Sequence, residues 1–178
     1  MKTLIIHPSD RSTDFLRPIY QSLDQYTIIT RGTRAEVNDL IKSYDRIMMM
    51  GHGAPSGLFS VNQFDHSYAI DSYTVPLLQD KECVFIWCNA DKFVNAHDLK
   101  GLYSGMFVSE LGEAMMMGIG IVPRATIDES NNTFATLLGE GMPRNLYHAY
   151  HRMMYGYEQL AETNPVAKYN SERLYLVL

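Results

Sequence analysis

The sequence predicts an α/β fold: a three-layer αβα sandwich around a mostly parallel sheet. Three observations carry that expectation. The runs "TLII", "RIMMM" and "ECVFIW" are apolar at successive positions, as strands buried on both faces must be. Between them lie segments with helical periodicity and capping residues, which sets a βαβαβ order. The 178 residues, 46% of them hydrophobic, suffice for one ordinary domain with a sizeable core, so a single domain over residues 1–178 is expected.

Each element follows from local chemistry. Lys2 to His7 is a short apolar strand, and Ser12, Thr13 and Asp14 supply caps for a helix through Phe15, Ile19 and Leu23, with Pro18 tolerated near its first turn. Tyr26 to Thr30 is the second strand by β-branched content. In "RGTRAEVNDLIKSY", Thr33 is the N-cap and Glu36 its capping-box partner, while Val37, Leu40, Ile41 and Tyr44 fall at helical spacing. Arg46 to Met50 is the third strand. Leu58 to Val61 and Tyr68 to Val75 read as a hairpin or loop, with a short helix near Pro76 to Gln79. Val84 to Trp87 is the fourth strand, and a helix from Ser109 to Met117 ends at Gly118. "GIGIVPRAT" is expected as a fifth strand stopped by Pro123, followed by helices in "DESNNTFATLLGEG" and "RNLYHAYHRMMYGYEQLAE" and a last strand in "RLYLVL".

Charge and composition exclude several classes of function. The formal charge is −5 and the pI about 5.6, with no basic stripe of the kind that binds a phosphate backbone, so nucleic acid is not an expected partner. No stretch approaches the ~20 apolar residues of a membrane span, so no membrane partner is expected. The opening "MKTLIIHPSD" breaks at His7-Pro8, too soon for the apolar region of a secretory signal. Cys83 and Cys88, five positions apart along one strand, would point to opposite faces and could not bridge. A reduced, cytoplasmic setting is the expectation.

Two strands end on reactive side chains. "DRIMMMGHGA" runs from an apolar strand into Gly51-His52-Gly53, and "ECVFIWCNAD" runs into Cys88. In an open parallel sheet ligands bind at the carboxyl ends of the strands, which puts both groups on one rim. A cysteine attacks as the thiolate, which an adjacent imidazole can generate or stabilise. Acyl transfer also needs backbone donors for the developing oxyanion. Gly53, without a Cβ, lets its N–H come close, and the amide of Cys88 is the natural second donor. Taken singly, the glycine-flanked histidine also reads as a tight turn and the cysteine as an inert small hydrophobe. It is their occurrence at successive strand ends that points to chemistry.

The pair "IMMMGHG" and "VFIWCNA" resembles the His-Gly and Cys motifs of the caspase-like cysteine peptidases (clan CD), which include caspases, gingipains, legumains, separases and CHAT domains. The separation of 36 positions is shorter than the roughly 50 of caspases. Downstream of Cys88 the layout is similar to CHAT domains: a Cys-Asn pair, a variable loop, a helix ending in small residues, a strand, an Asp-containing turn, and a helix opening with Thr. The resemblance implies a caspase-like fold and a hydrolase that cleaves a peptide or protein substrate after one preferred residue, without metal or cofactor. It implies His52 as general base, Cys88 as nucleophile and Gly53 as an oxyanion donor. Trp87 departs from the small residue usual before the cysteine, and its bulk would crowd the specificity pocket. Asp91, Asp128 and Glu129 are candidates for holding a basic substrate side chain.

Other features carry less. His148 and His151 lie three apart on a helix without a third metal ligand in the pattern. The methionine runs at Met48 to Met50 and Met115 to Met117 read as adaptable core. "GIG" at Gly118 to Gly120 precedes its strand and is no dinucleotide fingerprint. Two alternatives to the peptidase remain open: a catalytically inactive caspase-like interaction module, and a flavodoxin-like small-molecule binder. Oligomeric state is not encoded in any readable signal.

Overall fold

The computed structural model describes all 178 residues. The chain divides into two compact units, one of Met1–Asp14, Asp24–Gly105 and Tyr175–Leu178, the other of Phe15–Leu23 and Met106–Leu174. No helix is long and apolar enough to cross a membrane.

The first unit holds the sheets. Its strands are β1 (Thr3–Ile6), β2 (Thr27–Ile29), β3 (Arg46–Met50), β4 (Gly53–Ala54), β5 (Gly57–Phe59), β6 (Tyr68–Ile70), β7 (Glu82–Ile86), β8 (Gly101–Ser104) and, from Tyr175 onward, β9 (Leu174–Val177). Six of them form the main sheet in the order β2-β1-β3-β7-β8-β9, and the pairs β1/β2, β1/β3, β3/β7 and β7/β8 are all parallel. β2 lies to one side of β1 and the later strands to the other. The topological switch therefore falls between β1 and β3, where open α/β sheets carry their ligand crevice. The remaining three strands make a small antiparallel sheet, β4-β5-β6, so the segment left between hairpin and loop is a hairpin with one added strand.

α1 (Pro18–Gln21) belongs to the second unit; α2 (Arg34–Lys42), α3 (Val75–Leu78) and α4 (Ala90–Ala96) belong to the first. Val37 and Ile41 of α2, Val75 and Leu78 of α3, and Phe93 and Val94 of α4 pack on Leu4, Ile6, Ile47, Met49, Phe85 and Tyr103 of the sheet. The alternate residues Ile5, Met48, Met50, Val84 and Leu102 are buried just as fully. Both faces are thus covered, which is why these strands carry unbroken apolar runs. The fold class is the one predicted: α/β, with a mainly parallel sheet flanked by helices in three-layer fashion. The α2 capping box is formed as read, with Thr33 Oγ1 accepting from the Glu36 amide and the Glu36 carboxylate accepting from the Thr33 amide.

The second unit is helical, with α5 (Leu111–Met116), α6 (Arg124–Gly141), α7 (Leu146–Ala161) and α8 (Pro165–Ser171). Its centre carries a buried polar network. Asn170 exchanges hydrogen bonds with the backbone of Val108 at 2.7 and 2.8 Å and reaches the Tyr157 hydroxyl at 3.3 Å; Ser130 meets that hydroxyl at 2.6 Å.

Several expectations are corrected. The fifth strand is β8, not residues 118–126. That stretch forms turns and then the start of α6, with Pro123 as N-cap and Ile121 90% exposed, because Pro123 pre-sets a helix start and offers no ladder donor. The strand step of the CHAT-like layout is therefore not formed, and Asp128, the first residue of the helix expected in "DESNNTFATLLGEG", lies within α6. The first predicted helix is two pieces, a 3-10 helix over Arg11–Leu16 and α1, divided where Pro18 takes the first helical position. Ser12 to Asp14 lie inside the 3-10 helix, whose capping residue is Asp10. α4 occupies the segment read as a variable loop, and α8 lies in a stretch to which the sequence assigns no element.

Candidate active site

β3 delivers His52. Its ladder with β7 runs in constant register from Arg46↔Glu82 to Met50↔Ile86, and the Gly51 N–H adds one more bond to the Ile86 carbonyl at 3.0 Å. Gly51 then turns the chain at φ +144°, a conformation that favours glycine. His52 follows, its carbonyl accepting from the Phe59 amide at 2.8 Å and its side chain 30% exposed. Because that bond makes His52 and Phe59 a hydrogen-bonded pair, the next pair, Gly53 and Leu58, is a non-bonded one. The Gly53 N–H therefore points away from β5.

The second glycine of the motif has a packing cause. A Cβ on Gly53 would stand 2.2 Å from Trp87 Cδ1. Trp87 is 1% exposed, edge-on to Phe85 and Phe93 at 5.7 and 5.6 Å, and its indole N–H donates to the Ala54 carbonyl at 3.1 Å. The tryptophan expected to crowd a substrate pocket is instead part of the core, laid under the β4/β5 hairpin.

β7 delivers Cys88. The separation of His52 from Cys88 equals the register offset between β3 and β7, so each comes two positions after the last paired residue of its strand, and the two strands are adjacent and parallel. Such strands run about 4.8 Å apart. The backbone at Cys88 turns from strand into helix: Asn89 adopts the left-handed conformation (φ 65°, ψ 30°), which asparagine tolerates. The corner is pinned to the end of β8. The Trp87 carbonyl accepts from the Ser104 hydroxyl at 2.9 Å and the Asn89 amide donates to the Gly105 carbonyl at 3.0 Å. Cys88 is half-buried, whereas Cys83 is fully buried in β7, its thiol pushed up to about 12 by burial; no disulfide links them.

The sequence reading missed a third contributor, the loop after β1. Ser12 Oγ lies 2.6 Å from His52 Nε2 and donates to Asp10 Oδ1 at 2.7 Å, the same oxygen that accepts from the Ser12 amide at 2.9 Å. Asp10 Oδ2 is 3.9 Å from Nε2. The Ser12 hydroxyl and amide bonds hold the Asp10 carboxyl below its usual range, against the opposing effect of burial, with the His52 and His7 charges helping. The loop is itself anchored: Thr13 donates through its amide and hydroxyl to the Asp10 carbonyl, and its hydroxyl is 3.1 Å from buried His7 Nε2. The signal was present in "HPSDRST", a polar cluster just past a strand end on the histidine's side of the sheet, but capping explains such residues equally well.

The specificity candidates separate. Asp91 sits in the first turn of α4 with Oδ1 buried and unbonded. Asp128 is a surface residue of α6 facing Arg124 at 3.7 Å, and Glu129 accepts from Asn164 at 3.0 Å. His148 and His151 lie on α7, where His151 packs against Tyr147 at 4.2 Å, and no group of three or more His, Cys, Asp or Glu could hold a metal ion.

No family model matches the chain, and neither does any curated protein or any solved structure.

Proposed function

We propose that the protein is a caspase-like cysteine endopeptidase in which Cys88 attacks a peptide carbonyl and His52 carries the proton. One observation carries the reading: the two groups come the same two positions after the last paired residues of adjacent parallel strands, beside the topological switch of the sheet. The Cys88 proton passes to the His52 ring, and the thiolate adds to the carbonyl carbon. The resulting oxyanion is met by backbone N–H groups, Gly53 among them, whose amide is turned out of its ladder. Collapse breaks the C–N bond, and the imidazolium gives its proton to the departing amine. Water, deprotonated by the ring, then cleaves the thioester and restores Cys88.

Specific cleavage of a peptide library, lost in Cys88→Ala and His52→Ala, tests the reading. Iodoacetamide adds an independent measure: near neutral pH, Cys88 is expected to react at least about a hundredfold faster than Cys83, an advantage that His52→Ala removes. Equal reactivity of the two thiols sinks it.

A second reading, an inactive interaction module on the same fold, is favoured by one observation. Gly51, Gly53 and Trp87 each have a conformational or packing cause that needs no chemistry. Inertness of Cys88 in both assays selects this reading.

A further inference from the structure

We propose that Ser12 and Asp10 are positioning residues that place the single proton of neutral His52 on Nε2 and leave Nδ1 as the atom that receives the Cys88 proton. The inference rests on reading His52 and Cys88 as a catalytic pair, and it deepens that reading by assigning the ring's two nitrogens.

Hydrogen-bond capacity decides the direction of the chain. An ionised carboxylate only accepts, and Asp10 Oδ1 takes both the amide and the hydroxyl of Ser12. The Ser12 hydroxyl has one proton, which is committed to Asp10 at 2.7 Å. Toward His52 it therefore offers only a lone pair, so the 2.6 Å contact requires a proton on Nε2. A neutral imidazole has one N–H, which leaves Nδ1 bare and basic. When the ring takes a second proton, Asp10 Oδ2, 3.9 Å from Nε2, supplies an opposing charge without being protonated itself. The same directionality excludes Ser12 as a nucleophile activated by His52. To be activated it would have to hand Nε2 the proton that it donates to Asp10.

The fold makes this chain rigid. Asp10 is fixed through Thr13, and the loop follows β1, the neighbour of β3 in the sheet. Three adjacent parallel strands thus contribute the orienting group, the base and the nucleophile, in that spatial order.

The test reads the tautomer directly. In full-length protein labelled with 15N-histidine, long-range 1H–15N correlations at a pH where the ring is neutral should show His52 as the Nε2–H form, assigned by its loss in His52→Gln. Ser12→Ala and Asp10→Asn should each convert it to a mixture and slow iodoacetamide at Cys88 about ten- to hundredfold, the usual cost of losing an orienting partner. Ser12→Thr, which keeps the hydroxyl, should restore both. A wild-type ring in the Nδ1–H form overturns the proposal without any variant. So does an unchanged tautomer in both substitutions, or an altered tautomer with unchanged Cys88 alkylation where His52→Gln does slow it. If His52→Gln also leaves alkylation unchanged, the catalytic pair itself has failed, so the two failures read differently.

Discussion

Replacing Gly53 with alanine adds one methyl group where the structure has no room for it. The new Cβ would lie 2.2 Å from Trp87 Cδ1, 2.5 Å from its Cγ and 2.7 Å from the Gly57 carbonyl oxygen, whereas ordinary contact begins at 3.4 Å. Ring or strand must therefore retreat by about 1.2 Å, far up the repulsive wall of a contact whose optimum is about 3.5–4.0 Å. Neither yields cheaply. The indole is wedged between Phe85 and Phe93 and tied to the Ala54 carbonyl, and the Gly57 oxygen is backbone. Overpacking of this kind costs about 1–3 kcal/mol, and loss of the indole bond adds about 1 kcal/mol, so about 3 kcal/mol is expected. For a chain of this size that corresponds to a Tm lower by roughly 6–12 °C. Because Trp87 is the sole tryptophan, its fluorescence during urea unfolding reports from the perturbed point. Trp87→Leu should absorb part of the strain, making the double variant at least about 1 kcal/mol more stable than the sum of the single costs predicts. A Gly53→Ala protein within about 0.5 kcal/mol of the parent, or strict additivity with Trp87→Leu, refutes the packing account of the motif.

Other perturbations test other links. Burial pushes the Cys83 thiol up to about 12, with the Glu82 charge adding to it, and the Tyr157 hydroxyl up to about 12, from ordinary values of 9.0 and 10.0. The folded state keeps protons that the unfolded chain releases, so this stabilisation is complete below pH 9 and is lost as pH rises toward 12. The slope is about 1.4 kcal/mol per pH unit for each group, and urea midpoints measured above pH 9 should fall accordingly, less steeply in Cys83→Ala. Asn170→Ala strands the buried N–H and carbonyl of Val108 and should cost about 3 kcal/mol in denaturant unfolding, against near-neutral surface substitutions. Glu82→Ala removes the carboxylate that lies 2.5 Å from the guanidinium of Arg46, a residue 1% exposed. A loss of about 3 kcal/mol is expected, largely recovered when Arg46→Met is added; no recovery would show that the ion pair is not the cause.

What the sequence determined by itself was what local chemistry can encode. Unbroken apolar runs marked β1, β3 and β7 as doubly buried strands, the Thr33 and Glu36 pair fixed the start of α2, and two strand ends displayed a histidine and a cysteine. β8 stayed hidden because four residues, "GLYS", are too short to show a period, and residues 118–126 misled because an apolar run does not reveal that Pro123 starts a helix. Tertiary structure alone decided the rest of the site. Only the pairing of β3 with β7 puts residues 36 positions apart at matching places past the ends of neighbouring strands, and only the neighbouring place of β1 brings Ser12 and Asp10 to the imidazole. Likewise Gly53 is explained by an indole 34 positions away. Periodicity and caps act over a few residues and can be read along the chain, whereas register and packing join residues that sequence keeps far apart.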